Sequence, residues 1–142
     1  MKINSEGLAL LKKFEGCKLK AYKDGGGVLT IGYGHTKAVK SSDTLTQAEA
    51  DKLLSQDLKW AEDAIKNLVA APLNDNQFSA LVSLVFNIGE TAFTKSTIRK
   101  LLNAELYHES ARQFLKFVYD NRVFVQGLYN RRVAEKALFE KA

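Results

Sequence analysis

The sequence predicts an α+β protein in which a small β-hairpin lobe is joined by one long helix to a larger helical lobe, with a cleft between the lobes. Three observations carry this. A hydrophobic period of two is confined to residues 18–33. A capping-box pair, Thr46 with Glu49, opens a long amphipathic stretch. Everything after Leu45 repeats its apolar residues at helical spacing. With 142 residues, 46% of them hydrophobic, the chain has the size of one ordinary domain. The expected division is a hairpin lobe over about 15–60 and a helical lobe over about 61–142 that also takes in a helix over 1–14.

Ser5 is expected to cap the first helix, which places Leu8, Leu11 and Glu15 on one face at i, i+3 and i+7. Gly16 ends it as the C′ residue. Leu19 and Ala21 alternate with lysines, and Leu29, Ile31 and Tyr33 alternate with Val28, Thr30 and Gly32. Two strands joined through Asp24-Gly25-Gly26-Gly27 make a hairpin, with Leu29 and Ile31 inward and Thr30 on the opposite face. The long helix runs through Ala50, Leu54, Leu58, Ala61, Ile65 and Leu68 and stops before Pro72. Asn74 with Gln77 opens a helix that is apolar on nearly all sides and closes at Gly89. Further helices are expected at Thr97 to Asn103, His108 to Val118 and Gln126 to Phe139.

Composition narrows the function. Cys17 is the only cysteine, so no intramolecular disulfide and no thiolate zinc cluster can form. The N-terminal apolar stretch is short and broken by Lys12 and Lys13, which predicts neither a signal peptide nor a membrane anchor. Synthesis in a cytosol is expected. A net charge of +5 and a pI near 9.3 favour polyanionic partners, without choosing among nucleic acid, anionic lipid and anionic wall polymer.

Two carboxylates in unlike environments are what acid-catalysed cleavage of a glycosidic bond requires. Glu15, at the end of an apolar stripe, suits the proton donor because burial disfavours its charged form. Asp24, in a glycine-rich turn open to solvent and backbone N–H groups, suits the carboxylate that stays ionised, and Thr30 can hold a water beside it. Each also has an ordinary role, as surface charge, turn residue or strand former. His35 has only His108 as a histidine companion, so a metal site is not expected and a structural hydrogen bond is its simplest use. Gly25 to Gly27 run on into a strand and no G-K-[ST] follows, which argues against a phosphate loop. Cys17 without matched His and Asn partners reads as a packing residue.

Glu15, Asp24 and Thr30, with eight and five residues between them, resemble the catalytic triad of the phage-type lysozymes, the endolysins of glycoside hydrolase family 24. FEG at 14–16, LKAYKD at 19–24 and TIGYGHT at 30–36 are similar to that family's N-terminal signature. QFSALVSLVFNIG at 77–89, AFTKST at 92–97 and GLYNRRVAEKALF at 127–139 extend the likeness over nearly the whole chain.

The resemblance implies a lysozyme-like fold and an endo-acting muramidase, which cuts the β-1,4 bond between N-acetylmuramic acid and N-acetylglucosamine in peptidoglycan and so lyses the host for phage release. It gives Glu15 as general acid, Asp24 as water-activating or charge-stabilising carboxylate and Thr30 as the water-positioning hydroxyl. Phe86, Ser96, Gln113 and His35 are its substrate-binding candidates. Arg131 and Arg132 are expected either to buttress Glu15 or, preferably, to form ion pairs with helix partners such as Glu135. Inversion is expected, because a threonine that holds water has no use in the first step of a double displacement. No cofactor and no nucleic-acid partner are implied. The protein is expected to be a monomer that leaves the host cytoplasm through a membrane lesion made by a holin, without binding it, and to act in the periplasm or cell wall with electrostatic contact to the anionic envelope. Two alternatives stand beside this: a lytic transglycosylase acting on the same bond, and a basic wall-binding module without catalysis.

Overall fold

A computed structural model describes all residues, 1–142. Contacts divide the chain into two compact units, Leu11–Lys59 on the one hand and Met1–Leu10 with Trp60–Ala142 on the other.

The unit Leu11–Lys59 holds the end of helix α1 (Ser5–Glu15), strands β1 (Lys18–Lys23) and β2 (Leu29–Gly32), and the first half of helix α2 (Gln47–Leu68). Gly16 follows α1 with φ +71 and donates its N–H to the Lys12 carbonyl at 3.0 Å. A left-handed residue there turns the chain from helix to strand at little cost only if it is glycine. β1 and β2 pair antiparallel, with Tyr22 opposite Thr30 and Lys23 opposite Leu29, and a register shift between Lys18 and Tyr22. Residues 43–45 add to β1, through Ala21 N–H to the Asp43 carbonyl (3.0 Å) and Leu45 N–H to the Leu19 carbonyl (2.8 Å). The expected in-and-out alternation of β2 is not seen: Leu29 is half-buried, and Thr30, Ile31 and Gly32 are all buried. Thr30 tolerates burial because its hydroxyl is satisfied internally. Leu11, Ile31, Ala50, Leu54 and Leu58 form the apolar interior of this unit. The Thr46 box closes as the sequence predicts: Glu49 N–H donates to Thr46 Oγ1 (3.1 Å) and Thr46 N–H donates to Glu49 Oε1 (2.8 Å).

The larger unit is built around helix α3 (Asp75–Ile88), in which eight consecutive residues from Phe78 to Val85 are buried. The Asn74 and Gln77 capping box is present, and Gly89, with φ +90, returns its N–H to the Val85 carbonyl. Helix α4 (Glu90–Thr94), helix α5 (Thr97–Asn103), helix α6 (Tyr107–Gln113), a 3-10 turn at Phe114–Lys116, strands β3 (Tyr119–Asp120) and β4 (Val123–Phe124), and helix α7 (Gln126–Glu140) follow in order. Helix α7 packs on α3, and Phe114 meets Phe139 at 5.4 Å between ring centroids. Phe78, Phe93 and Phe114 are each almost fully buried, and each contributes about 2–3 kcal/mol of hydrophobic stabilisation.

Three expectations are corrected here. The cap of α1 is Asn4, not Ser5: Asn4 Oδ1 accepts from Gly7 N–H at 2.9 Å, leaving Ser5 as the first helical residue. Gly7 also allows α1 to approach α3, since a methyl group at that position would stand 2.6 Å from Ser79 Cβ. The helix expected from His108 to Val118 loosens into the 3-10 turn at Phe114. The chain beyond Leu45 is not wholly helical, because β3 and β4 form a second hairpin over a two-residue turn, Asn121-Arg122, both with positive φ. No helix is long and apolar enough to cross a membrane.

Candidate active site

The glycine run makes its site out of backbone. Gly27 N–H donates to the Asp24 carbonyl (2.9 Å) and Asp24 N–H to the Val28 carbonyl (3.0 Å), which closes a tight turn. Gly27 carries φ +80, a conformation glycine adopts without strain. The turn aims two N–H groups, from Gly26 and Val28, at the same oxygen, Asp24 Oδ1, each at 2.9 Å. The Asp24 side chain is therefore oriented by the turn that it starts, and the Oδ2 oxygen is left for another partner. Val28 also accepts the Thr30 hydroxyl proton on its carbonyl at 2.9 Å. One residue thus ties both candidates together: its N–H holds Asp24 and its carbonyl holds Thr30. With its proton committed, Thr30 Oγ1 can meet a further group only as an acceptor.

Glu15 sits half-buried at the C-terminal end of α1. Gly34, from the same TIGYGHT motif as Thr30, backs onto it: a methyl group at Gly34 would stand 3.4 Å from Glu15 Oε1, and φ there is +79. All three proposed catalytic positions therefore belong to the unit Leu11–Lys59.

His35 is held at both ring nitrogens, Nδ1 against Asp57 Oδ2 at 2.7 Å and Nε2 against the Lys37 carbonyl at 2.9 Å. Both ring nitrogens are thus turned toward groups of the protein itself. The loop carrying His35 is further fixed by a mutual pair of backbone bonds with Ile31, each 2.9 Å.

A polar cluster that the sequence did not announce lies in this unit. Lys12 Nζ is 3.2 Å from Asp51 Oδ1 and 5.7 Å from the centre of the Tyr33 ring. Gln47 Nε2 donates to both the Tyr33 hydroxyl (2.9 Å) and Asp51 (3.0 Å). Hydrogen bonds from Gln47 and then Lys12 hold the Asp51 carboxyl below its ordinary pKa. Tyr33, inside the GYGH motif, was the one sequence signal for it. Its partners come from two helices too far along the chain to be matched by spacing.

In the larger unit, Phe86 is the half-buried residue that follows the buried run of α3 and stacks on Trp60 at 5.9 Å and 26°. Trp60 keeps 42% of its surface exposed. Ser96 is the N-cap of α5: its oxygen accepts from Arg99 N–H (3.2 Å) and its proton goes to the Phe93 carbonyl (2.6 Å). Gln113 is half-buried at the end of α6. Arg131 and Arg132 are buried and share Glu135: Arg131 Nε reaches Oε2 at 3.1 Å and an Arg132 Nη reaches Oε1 at 2.7 Å. Arg132 also donates to the Phe117 carbonyl (2.9 Å) and to Asn87, and Ser83 donates its hydroxyl to Glu135.

Comparison with known proteins follows the same lines. The family model described as phage lysozyme matches residues 12–135. The endolysin of Salmonella phage P22 is 46% identical, with 98% of each chain covered. A crystal structure of a P22 lysozyme variant superposes with a TM-score of 0.91 at 43% identity, covering 99% of both chains. The muramidase domain of SpmX from Asticaccaulis excentricus superposes with a TM-score of 0.93 at 37% identity, again covering 99% of both. The fold and these matches agree: the chain belongs to the phage lysozyme family and is a lysozyme-type glycoside hydrolase.

Proposed function

We propose that the protein hydrolyses the β-1,4 bond between N-acetylmuramic acid and N-acetylglucosamine in peptidoglycan, with Glu15 as general acid, Asp24 as general base and Thr30 as the residue that orients the attacking water. The observation that carries this is the double use of Val28. Asp24 Oδ1 is occupied by two backbone N–H groups and the Thr30 proton by a carbonyl. A water placed there gives one hydrogen to Asp24 Oδ2 and the other to Thr30 Oγ1, which turns an oxygen lone pair toward the anomeric carbon. In the reaction Glu15 delivers its proton to the leaving glycosidic oxygen as the bond from anomeric carbon to oxygen breaks. The water oxygen bonds that carbon, and Asp24 takes the released proton.

A single displacement of this kind inverts the anomeric configuration. A lytic transglycosylase would use the sugar's own hydroxyl and leave the water-holding pair idle. His35, with both nitrogens engaged, is assigned to holding the loop after β2 and not to sugar contact. Phe86 is the preferred saccharide contact among the candidates, because Ser96 spends its hydroxyl on capping α5 and Gln113 has only its position on α6 to recommend it. The chain works as one catalytic domain and as a monomer, reaches the wall through a holin lesion after cytoplasmic synthesis, and uses its net charge of +5 to dwell on the anionic envelope.

The test digests purified peptidoglycan with wild type and Glu15→Gln and follows the products by mass spectrometry. Reducing muramic ends from the wild type, and near-complete loss in a folded Glu15→Gln, are expected. Mainly anhydro-muramic ends, or full activity in the variant, would refute the proposal.

A further inference from the structure

The polar cluster of Lys12, Tyr33, Gln47 and Asp51 has no part in the reaction as described, yet it is built as a closed circuit. Its members come from three elements: Lys12 from the last turn of α1, Tyr33 just after β2, and Gln47 with Asp51, at i and i+4 on one face, from the start of α2. Gln47 gives one amide hydrogen to the Tyr33 hydroxyl (2.9 Å) and the other to Asp51 (3.0 Å). Asp51 takes the Lys12 ammonium at 3.2 Å, and that ammonium lies 5.7 Å from the centre of the Tyr33 ring. Two corners of the circuit stand beside Glu15. On α1, Gly16 N–H bonds the Lys12 carbonyl at 3.0 Å and closes the turn that carries Glu15. In the loop after β2, Tyr33 is followed by Gly34, where a methyl group would stand 3.4 Å from Glu15 Oε1.

We propose that these four are positioning residues for the general acid: the circuit holds the last turn of α1 against the tip of the loop after β2, with α2 as their common support, and so fixes the direction in which the Glu15 carboxyl meets the leaving oxygen. The proposal rests on the reading of Glu15 as that acid. All four residues lie with Glu15 in the unit Leu11–Lys59. The loop needs such an anchor. Ile31 and His35 tie its ends by two backbone bonds of 2.9 Å, but its tip is Gly32-Tyr33-Gly34, with φ +67 at Gly32 and +79 at Gly34. Glycine backbone is the least restrained by sterics, so Tyr33, 9% exposed, supplies the only side chain that can hold the tip. Stability alone gives the circuit little purpose. The Lys12 and Asp51 side chains are 30% and 43% exposed, and an ion pair so open to water stabilises a fold only slightly. Placement matters more, because a reacting group displaced by an ångström loses about a hundredfold in rate.

The experiment measures kcat, KM and Tm on solubilised peptidoglycan for wild type, Tyr33→Phe, Asp51→Asn, Lys12→Met, the Lys12→Met/Asp51→Asn double variant and the conservative Lys12→Arg, at a temperature where all are folded. Each of the first three variants should lose about three- to thirtyfold in kcat, with KM within about twofold of wild type. Tm should move by no more than about 4 °C. The double variant should lose no more than the worse single one, since both open the same circuit. Lys12→Arg, which keeps a cation for Asp51 and for the Tyr33 ring, should retain kcat within about twofold. In parallel, the carbon NMR signal of the Glu15 carboxyl should move in Tyr33→Phe. Unchanged kcat in Tyr33→Phe and Asp51→Asn, losses confined to KM, additive losses in the double variant, or a static Glu15 signal would overturn the proposal. A Glu15→Gln protein as active as wild type would instead refute the general-acid reading, and the Glu15 signal in Tyr33→Phe would still decide whether the circuit positions its carboxyl.

Discussion

Replacing Thr30 with valine removes one hydroxyl and almost no volume, so it separates the water-orienting role from packing. In the folded protein the substitution deletes the bond from Thr30 Oγ1 to the Val28 carbonyl. That carbonyl keeps its second partner, the Asp24 N–H at 3.0 Å, so no buried acceptor is orphaned. The lost bond costs about 0.5–1.5 kcal/mol, and valine, being β-branched and apolar, recovers part of this at a strand position that is 4% exposed. The stability change is therefore about 1 kcal/mol or less, a Tm shift of roughly 2–4 °C for a chain of this size. The effect on the reaction is larger. One of the two acceptors fixing the water disappears, and misplacing a reacting group by an ångström costs about 10²-fold, or ~2.7 kcal/mol of barrier. Thr30→Ser retains the acceptor and should keep activity within about tenfold. The assay is kcat on solubilised peptidoglycan, with Tm measured on the same samples. Thr30→Val at more than a third of wild-type kcat, with an intact fold, would refute the water-orienting argument.

Gly34→Ala should cost about 1–2 kcal/mol from its left-handed backbone, and its methyl, in van der Waals contact with Glu15 Oε1 at 3.4 Å, should displace solvent from that oxygen, seen as a change in kcat beyond that expected from Tm alone. Glu135→Gln removes the carboxylate that two buried arginines share and should destabilise by about 3–5 kcal/mol, a Tm drop on the order of 10 °C by calorimetry. A drop below 2 °C would show that the pair carries little. Asp51 binds a proton less readily folded than unfolded. Its contribution to stability is thus present above the ordinary aspartate range and is lost as pH falls through the lowered folded value. Denaturant melts between about pH 5 and pH 2 should show a shallower decline in Asp51→Asn than in wild type, and parallel curves would contradict this.

The elements that carry their own boundary chemistry were legible in the sequence. Thr46 with Glu49 and Asn74 with Gln77 mark two helix starts by residues that bond each other locally, and both boxes form. Gly16 and Gly89 mark two ends by the positive φ they adopt. The second hairpin was not legible, because Tyr119 to Phe124 carries no glycine: the turn is made by Asn121 and Arg122 at φ +47 and +66, and arginine is a rare occupant of that region. The period-two rule, which puts Thr30 on the face opposite Leu29 and Ile31, does not reveal its burial, because it cannot see that a hydroxyl bonded to the carbonyl of Val28 can be buried too. At the site, the unlike surroundings of Glu15 and Asp24 suggested the carboxylate pair with Thr30 beside it, and the resemblance to the phage-type lysozymes implied the role of each. The role of Val28, which acts only through its backbone, has no signature in side-chain identity. The Lys12, Tyr33, Gln47 and Asp51 cluster likewise depends on long-range packing.

The central claim, that Asp24 and Thr30 orient a water for direct displacement at the anomeric carbon, is tested most directly by proton NMR of the first products of cleavage. A soluble β-linked glycan should release its new reducing end as the α anomer, with the β anomer appearing only at the rate of mutarotation. Initial formation of the β anomer would mean retention through an enzyme-bound intermediate and would contradict the account.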